Sequence, residues 1–247
     1  LPDAASMRPA GAAAVASGIE TALRVMARKG LIDPNKRINI VVLAGDGGTY
    51  DIGLQALSGM LERGHRVMYV LYDNEAYMNT GIQASGTTMW RALTTTTPVM
   101  GKTEERKDLA LLMLMHRVPY VATASIAYPN DFAAKLEKAA SIRGFRFIHL
   151  HSPCPPGWRF DSDKTVYVAK LAIETGAWIL WEYSGGKLSI SPVSKPYADK
   201  AKRKPLAEYL KLQGRFAHLR EEDIKAIEEK IEANWRLLKE LERIYSG

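Results

Sequence analysis

An acidic residue and an amide residue each follow an apolar run, at positions where the two could share a cation. Asp46 lies in the Gly-Asp-Gly-Gly turn of residues 45–48, and Asn74 stands 28 positions further along the chain. Carboxylate and amide oxygens are ligands that Mg²⁺ accepts, and a glycine-rich turn exposes backbone N–H groups that can bind phosphate. The two residues therefore indicate a magnesium-bound diphosphate.

The elements around these residues favour a strand–helix–strand unit. Residues 38–44 and 67–72 are apolar runs typical of buried parallel strands, and residues 52–63 between them are predicted to form a helix. In a right-handed unit of this kind both strands end at the same edge of one sheet, where ligands bind in open α/β sheets. Asp46 and Asn74 are expected to converge at that edge.

The rest of the chain continues the alternation of strands and helices. It predicts an α/β fold with an open, mostly parallel sheet, helices on both faces and a C-terminal helical extension. Residues 74–100, rich in Thr, Gly and Ser, form a long loop, which in a compact domain is usually functional. The further predicted strands are 120–124, 145–151, 178–183 and a hairpin at 183–190; the further predicted helices are 12–29, 104–117, 129–142, 164–175, 206–212 and 221–245.

The composition is that of a folded protein outside the membrane. The 247 residues are 47% hydrophobic, enough for a large core. No apolar stretch approaches the roughly 20 residues that span a bilayer, and no signal-peptide pattern is present, so we expect a soluble, cytoplasmic protein. The single cysteine, Cys154, excludes an internal disulfide and fits a reducing compartment. Because the chain opens at Leu1 and residues 1–6 have no element of their own, we expect an upstream portion in the natural protein.

The net charge of +7 is concentrated in one stretch near the C-terminus. Such a patch could steer an acidic partner or a phosphate-bearing substrate, although a solvated surface is the commoner explanation. Nucleic-acid binding is less favoured because no aromatic interleaving or binding module accompanies the charge. The basic residues concerned are Lys195, Lys200, Lys202, Arg203, Lys204, Lys211, Arg215 and Arg220.

Other motifs in the sequence fit a ligand-binding site less well than the predicted magnesium site does. A dinucleotide-binding turn would need a third glycine where Tyr50 stands, and the P-loop-like run at residues 101–103 lacks its earlier glycine. His149 and His151 share a face of one strand and could bind a metal, but without a third ligand nearby structural histidines are favoured. Taken singly, Asp46 could be a helix cap and Asn74 a turn residue.

The Gly-Asp-Gly turn followed at this distance by Asn74 resembles the diphosphate motif of thiamine diphosphate enzymes. Residues 45–54 and 72–81 are similar to the thiamine-binding β subunits of the 2-oxoacid:ferredoxin oxidoreductases, most of all to those of pyruvate synthases. The similarity extends from about residue 12 to residue 219. It implies a thiamine diphosphate-binding domain in residues 1–190, with residues 191–247 as a basic segment and helices that pack on that domain or on a partner subunit.

The resemblance also implies roles for individual residues. Asp46 and Asn74 would ligate Mg²⁺ through side-chain oxygen and Ala76 through its carbonyl, while Asn79 would contact the substrate. Cys154 would be the last ligand of a four-iron four-sulfur (4Fe-4S) cluster whose other cysteines lie upstream. The residues that would bind thiamine diphosphate are Gly45, Asp46, Gly47, Gly48, Asn74, Ala76 and Asn79.

The implied reaction is reversible oxidative decarboxylation of a 2-oxoacid, with pyruvate as the favoured substrate, to acyl-CoA and CO₂. Electrons would pass through the cluster to ferredoxin, and ferredoxin and coenzyme A become candidates for the basic patch. A partner subunit would supply the glutamate that activates the pyrimidine, so the chain alone should be inactive. The alternatives are another substrate such as oxalate, 2-oxoglutarate or a branched oxoacid, a cluster-free thiamine enzyme such as a decarboxylase, and a non-catalytic binding module.

Overall fold

Within residues 11–246, the part of the chain that the computed structural model describes, six strands form one sheet in the order β1-β2-β4-β3-β5-β6. The first four are parallel, and the β5–β6 hairpin joins β3 antiparallel at one edge. The predicted strands and edge hairpin are thus present, whereas residues 1–6 lie outside the described range. The strands are β1 Ile40–Gly45, β2 Val67–Asp73, β3 Tyr120–Ser125, β4 Arg146–His151, β5 Trp181–Ser184 and β6 Lys187–Ile190.

Helices cover both faces of the sheet, as predicted. Alternate strand residues such as Met68, Val70 and Ile148 pack under α4, while their neighbours Tyr69, Leu71 and Phe147 belong to the main core on the opposite face. None of the helices in residues 11–246 is both long and apolar enough to cross a membrane. The helices are α1 Ala12–Arg28, α2 Leu54–Glu62, α3 Leu109–Met115, α4 Pro129–Ser141, α5 Pro155–Trp158, α6 Thr165–Glu174, α7 Leu206–Lys211 and α8 Glu221–Ile244.

Two helices differ in detail from expectation. α1 buries a face of small and polar residues that includes Ala13, Ala16 and Glu20, whereas the apolar Ile19 and Met26 are exposed. α3 begins five residues later than predicted because the Asp108 side chain accepts a hydrogen bond from the Leu111 amide and caps the helix there.

The C-terminal helix α8 packs against the main core of this chain. Its predicted apolar stripe includes Ile227, Ile231 and Trp235, all buried in the same cluster as residues of α6 and β6. These contacts attach the C-terminal helix to the sheet. The division of the chain at residue 190 stays a prediction.

Candidate metal and cofactor site

Three strand ends meet at one edge of the sheet. Gly45, the last residue of β1, is paired with Tyr72 of β2, and Asp73 at the end of β2 is paired with His151 of β4. The residues that follow these strands, Asp46 and Asn74 among them, are therefore neighbours. This juxtaposition follows from the order β1-β2-β4 and fits the rule that ligands bind beyond the carboxyl ends of parallel strands.

The turn after β1 leads directly into a helical segment. It continues as a π-helical turn at Gly48–Ile52 before α2, so the helical region starts earlier than the predicted residue 52. Gly47 packs against the ring of Tyr77, whose hydroxyl lies 3.0 Å from the Gly47 carbonyl oxygen. The turn after β1 and the loop after β2 are thereby held together.

Oxygen atoms of this turn and of the loop after β2 converge on one point. One terminal atom of the Asn74 amide lies 3.0 Å from Oδ1 of Asp46 and 2.9 Å from the carbonyl oxygen of Ala76. Glu75 between them has φ 61°, in the left-handed region that residues other than glycine rarely adopt. This conformation accompanies a reversal that turns the Asn74 side chain and the Ala76 carbonyl to the same side.

The spacing of these groups fits an octahedral magnesium ion. Cis ligands at the usual Mg–O distance of about 2.1 Å stand about 2.9 Å apart. With nitrogen facing inward, the Asn74 amide donates to the two acceptors; with oxygen inward, it joins Asp46 and Ala76 in a set of three hard oxygen ligands. Such a set leaves coordination positions for diphosphate oxygens and water.

Asp46 is a buried carboxylate held by two hydroxyl groups. Ser85 Oγ and Thr87 Oγ1 lie 2.5 Å and 2.8 Å from its Oδ2, leaving Oδ1 directed to the Asn74 amide. Burial, together with the Asp73 carboxylate nearby, raises the pKa of Asp46 to about 8. A divalent cation would favour the ionised form, as expected of a carboxylate that binds metal.

Asp73 is a second, fully buried carboxylate that the sequence analysis did not single out. It accepts from the Glu75 amide at 2.9 Å and faces His149 Nε2 at 2.7 Å, while Thr87 Oγ1 lies 2.8 Å from it as well as from Asp46. Burial opposes its ionisation, yet the hydrogen bond and charge of His149, followed by the Arg106 charge, lower the pKa of Asp73 to about 2. The charges of His149 and Arg106 thus favour the ionised form of Asp73.

Lys102 supports the loop that carries these hydroxyl groups. Its buried ammonium group donates to the carbonyl oxygens of Ser85, Gly86 and Thr88 at 3.1–3.3 Å. The P-loop-like run at residues 101–103 therefore binds backbone carbonyls rather than phosphate. Asp51 holds the same loop from the other side, accepting from the Gly86 amide at 2.9 Å.

The remaining predicted site residues lie close by in the chain. Asn79 is exposed in a turn closed by the Tyr77 amide, which donates to the Gln83 carbonyl at 2.9 Å. Cys154 is partly buried three residues after β4, with its Sγ beside Gly157. In residues 11–246 no three His, Cys, Asp or Glu side chains cluster as a metal site. The roles of Asn79 and Cys154 stay predictions.

The two histidines of β4 belong to the buried interior. His149 is bonded to Asp73, and the ring of His151 stacks on Trp178 with centroids 4.9 Å apart. Burial lowers the pKa of His151 to about 3, so its ring is neutral. Tyr50, which replaces the third glycine of a dinucleotide motif, is also buried, and its hydroxyl accepts from the Leu109 amide at 3.0 Å.

The predicted basic patch is smaller than the sequence suggested. Arg215 does not belong to it, because the guanidinium is only 2% exposed and is paired with the buried Glu75. Arg203 is paired with Glu232 of α8, and Lys204 is paired with Glu174 of α6. The charge excess in this stretch therefore serves partly to neutralise acids within the chain.

Gly47 offers a direct test of the contact between the two loops. A methyl group at this position would lie 2.3–2.5 Å from three ring carbons of Tyr77. We expect Gly47→Ala to lower the free energy of unfolding by about 1–3 kcal/mol, as overpacking does, and to weaken cofactor binding. Denaturant unfolding and calorimetry would measure the two effects.

Gly18 provides the matched control. It lies in α1 with no atom within 4 Å of an added methyl group. Gly18→Ala should raise stability by about 0.5–1 kcal/mol because alanine favours helix. Unchanged stability and binding in Gly47→Ala would show that the ring of Tyr77 moves freely.

Comparison with known proteins identifies the class to which this fold and site belong. Residues 9–150 match the family of the thiamine pyrophosphate enzyme, C-terminal TPP binding domain. A solved structure of the 2-oxoglutarate:ferredoxin oxidoreductase from Magnetococcus marinus, with 2-oxoglutarate, coenzyme A and succinyl-CoA bound, is 30% identical with a TM-score of 0.51. The match covers 59% of this chain and 46% of that chain.

Curated relatives narrow the class further. The chain is 48% identical to the pyruvate synthase subunit PorB of Methanocaldococcus jannaschii over 92% of its length and 76% of the relative's. It is also 48% identical to the ketoisovalerate oxidoreductase subunit VorB of Pyrococcus abyssi, over 94% of this chain and 74% of that one. The chain belongs to the thiamine diphosphate-binding β-subunit family of the 2-oxoacid:ferredoxin oxidoreductases, the family that its two motifs predicted.

Proposed function

We propose that this chain binds the diphosphate of thiamine diphosphate through Mg²⁺ and serves as a catalytic subunit in the oxidative decarboxylation of a 2-oxoacid. The observation that carries the proposal is that one terminal atom of the Asn74 amide lies 3.0 Å from Oδ1 of Asp46 and 2.9 Å from the Ala76 carbonyl oxygen. The thiamine-binding domain match supports the identity of the cofactor. Gly45, Gly47 and Gly48 supply the backbone beside which the diphosphate would lie.

The residues of this chain bind and orient, while the carbanion chemistry is supplied by thiamine diphosphate when it is bound. Asp46, Asn74 and Ala76 would hold the ion, and through it these residues would position the diphosphate. Asn79, exposed beyond this loop, would donate from its amide to the substrate. Fixing the reacting groups in this way lowers the entropic part of the barrier.

The full reaction would need partner subunits. The relatives from M. jannaschii and P. abyssi are both named as subunits, and we propose that a partner supplies the glutamate that activates the pyrimidine ring. Acidic ferredoxin and coenzyme A would be the further partners. In this proposal the isolated chain is inactive and the assembled complex produces acyl-CoA reversibly.

Cys154 would contribute one ligand to a 4Fe-4S cluster that receives the electrons. Its place on the edge of the sheet that carries Asp46 and Asn74 supports this role, and the other ligands would come from outside residues 1–247. We expect Cys154→Ser in the full-length complex to lose the iron of one cluster and its electron paramagnetic resonance signal. Ser152→Ala, two residues away, should retain both, and retention in Cys154→Ser would remove the residue from the cluster.

Pyruvate is the proposed substrate, since a pyruvate synthase subunit is among the relatives at 48% identity. The equally similar ketoisovalerate oxidoreductase subunit makes a branched oxoacid the second candidate. Ferredoxin reduction by the assembled complex should be assayed with pyruvate, ketoisovalerate, 2-oxoglutarate and oxalate. A complex that decarboxylates pyruvate without reducing ferredoxin would be a cluster-free decarboxylase, and one that binds no thiamine diphosphate would be a non-catalytic module.

A further inference from the structure

The loop that carries Asn74 and Ala76 is anchored by a buried charge pair. Glu75 between them is 2% exposed, and its Oε2 accepts a hydrogen bond of 2.7 Å from Nη1 of Arg215. The Arg215 side chain is also 2% exposed and comes from a short helical turn, Gly214–Phe216, 140 positions away in the chain. Arg215, from the last part of the chain, thus contacts the proposed metal-binding loop directly.

Arg215 also stacks on Trp158, which contacts Asn74, the residue before Glu75. The guanidinium carbon of Arg215 lies 3.5 Å from the ring centroid of Trp158. Nε1 of Trp158 donates a hydrogen bond of 2.7 Å to the backbone carbonyl of Asn74. One stacked pair of side chains therefore holds two consecutive residues, one by its backbone and the other by its carboxylate.

The backbone of Arg215 is itself bonded to a later part of the loop formed by residues 74–100. Its carbonyl oxygen accepts from the Leu93 amide at 3.0 Å, and its Nε donates to the Gln213 side chain at 2.9 Å. Arg106 adds a second positive charge 3.6 Å from Glu75. The anchor is therefore built from several segments that surround residues 74–76.

The energetics favour a positional role for this pair. Burying an ion pair costs desolvation energy that its attraction only partly returns, so a buried pair is weak evidence for stability alone. The left-handed backbone at Glu75 also costs of order 1–3 kcal/mol unless surrounding contacts impose it. Both costs fall on the residue between two proposed ligands.

We propose that Glu75, Arg215 and Trp158 form a clamp that positions the Asn74 amide and the Ala76 carbonyl for the cation. The proposal rests on the proposed function, because it takes the convergence of these groups with Asp46 to be a magnesium site. The three are positioning residues that act through the loop rather than by touching the ion. Loosening any one of them should weaken Mg²⁺ binding more than it weakens the fold.

The chain contains a matched arrangement away from the site. Trp235 Nε1 donates a hydrogen bond of 3.0 Å to the Gly176 carbonyl. The guanidinium carbon of Arg203 lies 4.8 Å from the ring centroid of Trp235, and Arg203 pairs with Glu232 of α8. The controls Trp235→Phe, Arg203→Lys and Glu232→Gln remove contacts of the same kinds between α8 and two loop residues, Gly176 and Arg203.

The test is a titration of Mg²⁺ into the full-length subunit within its assembled complex, by calorimetry at a fixed thiamine diphosphate concentration. Trp158→Phe, Arg215→Lys and Glu75→Gln should each weaken the apparent Mg²⁺ affinity by about 10- to 100-fold, the usual effect of removing an outer partner of a metal ligand. The control variants should change it by less than about twofold. Unfolding temperatures without Mg²⁺ should fall by comparable amounts in the two sets.

Mg²⁺ affinities that match those of the controls would overturn the clamp while leaving the proposed function intact. A wild-type complex that shows no Mg²⁺-dependent binding of thiamine diphosphate would overturn both. Trp158→Phe keeps an aromatic ring under Arg215, smaller than the indole, and removes the hydrogen bond to Asn74. If Arg215→Lys fails to assemble, this variant and Glu75→Gln decide the outcome.

Discussion

Asp46→Ala is expected to abolish Mg²⁺-dependent binding of thiamine diphosphate in the assembled complex, with a loss of more than about 100-fold. The variant removes the only carboxylate of the three converging groups, and even the outer partners of metal ligands contribute 10- to 100-fold in affinity. Calorimetry with thiamine diphosphate, at saturating and at zero Mg²⁺, measures the loss. Asp161→Ala, which removes an exposed carboxylate paired with Lys164, should bind as the wild type does.

Asp46→Ala should lose thiamine diphosphate binding without losing folding stability. The Asp46 carboxyl group is buried beside Asp73, and the pKa of Asp46 is raised because ionisation there is unfavourable. The two hydroxyl groups that bind Asp46 have other acceptors: Thr87 Oγ1 also lies 2.8 Å from Asp73, and Ser85 Oγ lies 3.1 Å from Thr87 Oγ1. We expect the free energy of unfolding without Mg²⁺ to stay within about 1 kcal/mol of wild type or to rise. Cofactor binding that survives in a folded Asp46→Ala complex would defeat the metal site.

Asp73→Ala is expected to have the opposite pattern, with a large loss of stability. The variant leaves the Glu75 amide and His149 Nε2 buried without their acceptor. Removing one partner of a buried charged network costs about 3–5 kcal/mol. Denaturant unfolding of the chain, followed by tryptophan fluorescence, measures the change.

Asp73→Asn separates charge from shape at the same position. It keeps the size of the side chain and one acceptor oxygen, so we expect a smaller loss of about 1–3 kcal/mol. Asp108→Ala, which removes a helix cap from α3, should cost about 1 kcal/mol and serves as the control. If Asp73→Ala costs no more than this cap, the carboxylate is not the centre of the network that the distances suggest.

The convergence of Asp46 and Asn74 could be predicted because it depends on local patterns. Two apolar runs separated by a helix place both residues at one sheet edge, and β1 and β2 are indeed neighbours. Asp73 could have been found as well, since an acid that ends an apolar strand immediately before a proposed ligand is a visible signal. The motif itself contains only the amide beside it, Asn74, and so does not predict a role for Asp73.

Other parts of the site depend on tertiary packing that no local pattern contains. Arg215 reaches Glu75 from 140 positions away, and in the sequence it stands among basic residues that suggest a solvated surface. Residues 74–100 form a loop, as predicted, and its functional role stays a prediction. Which hydroxyl groups face Asp46 depends on how that loop folds back. The packing face of α1 was obscured for a similar reason, because small residues rather than Ile19 or Met26 approach the sheet.

The lysine that binds three carbonyl groups of the loop has a consequence for how the ion is captured. Because Lys102 binds the carbonyl oxygens of Ser85, Gly86 and Thr88, contacts within the chain itself hold this irregular segment in one arrangement. Fixing a backbone residue costs roughly 1–2 kcal/mol of entropy, and here that cost is met during folding. Less entropy is then lost when a ligand binds, because the loop is not ordered at that step. The affinity for the ligand is higher as a result, which is the advantage of a preorganised site.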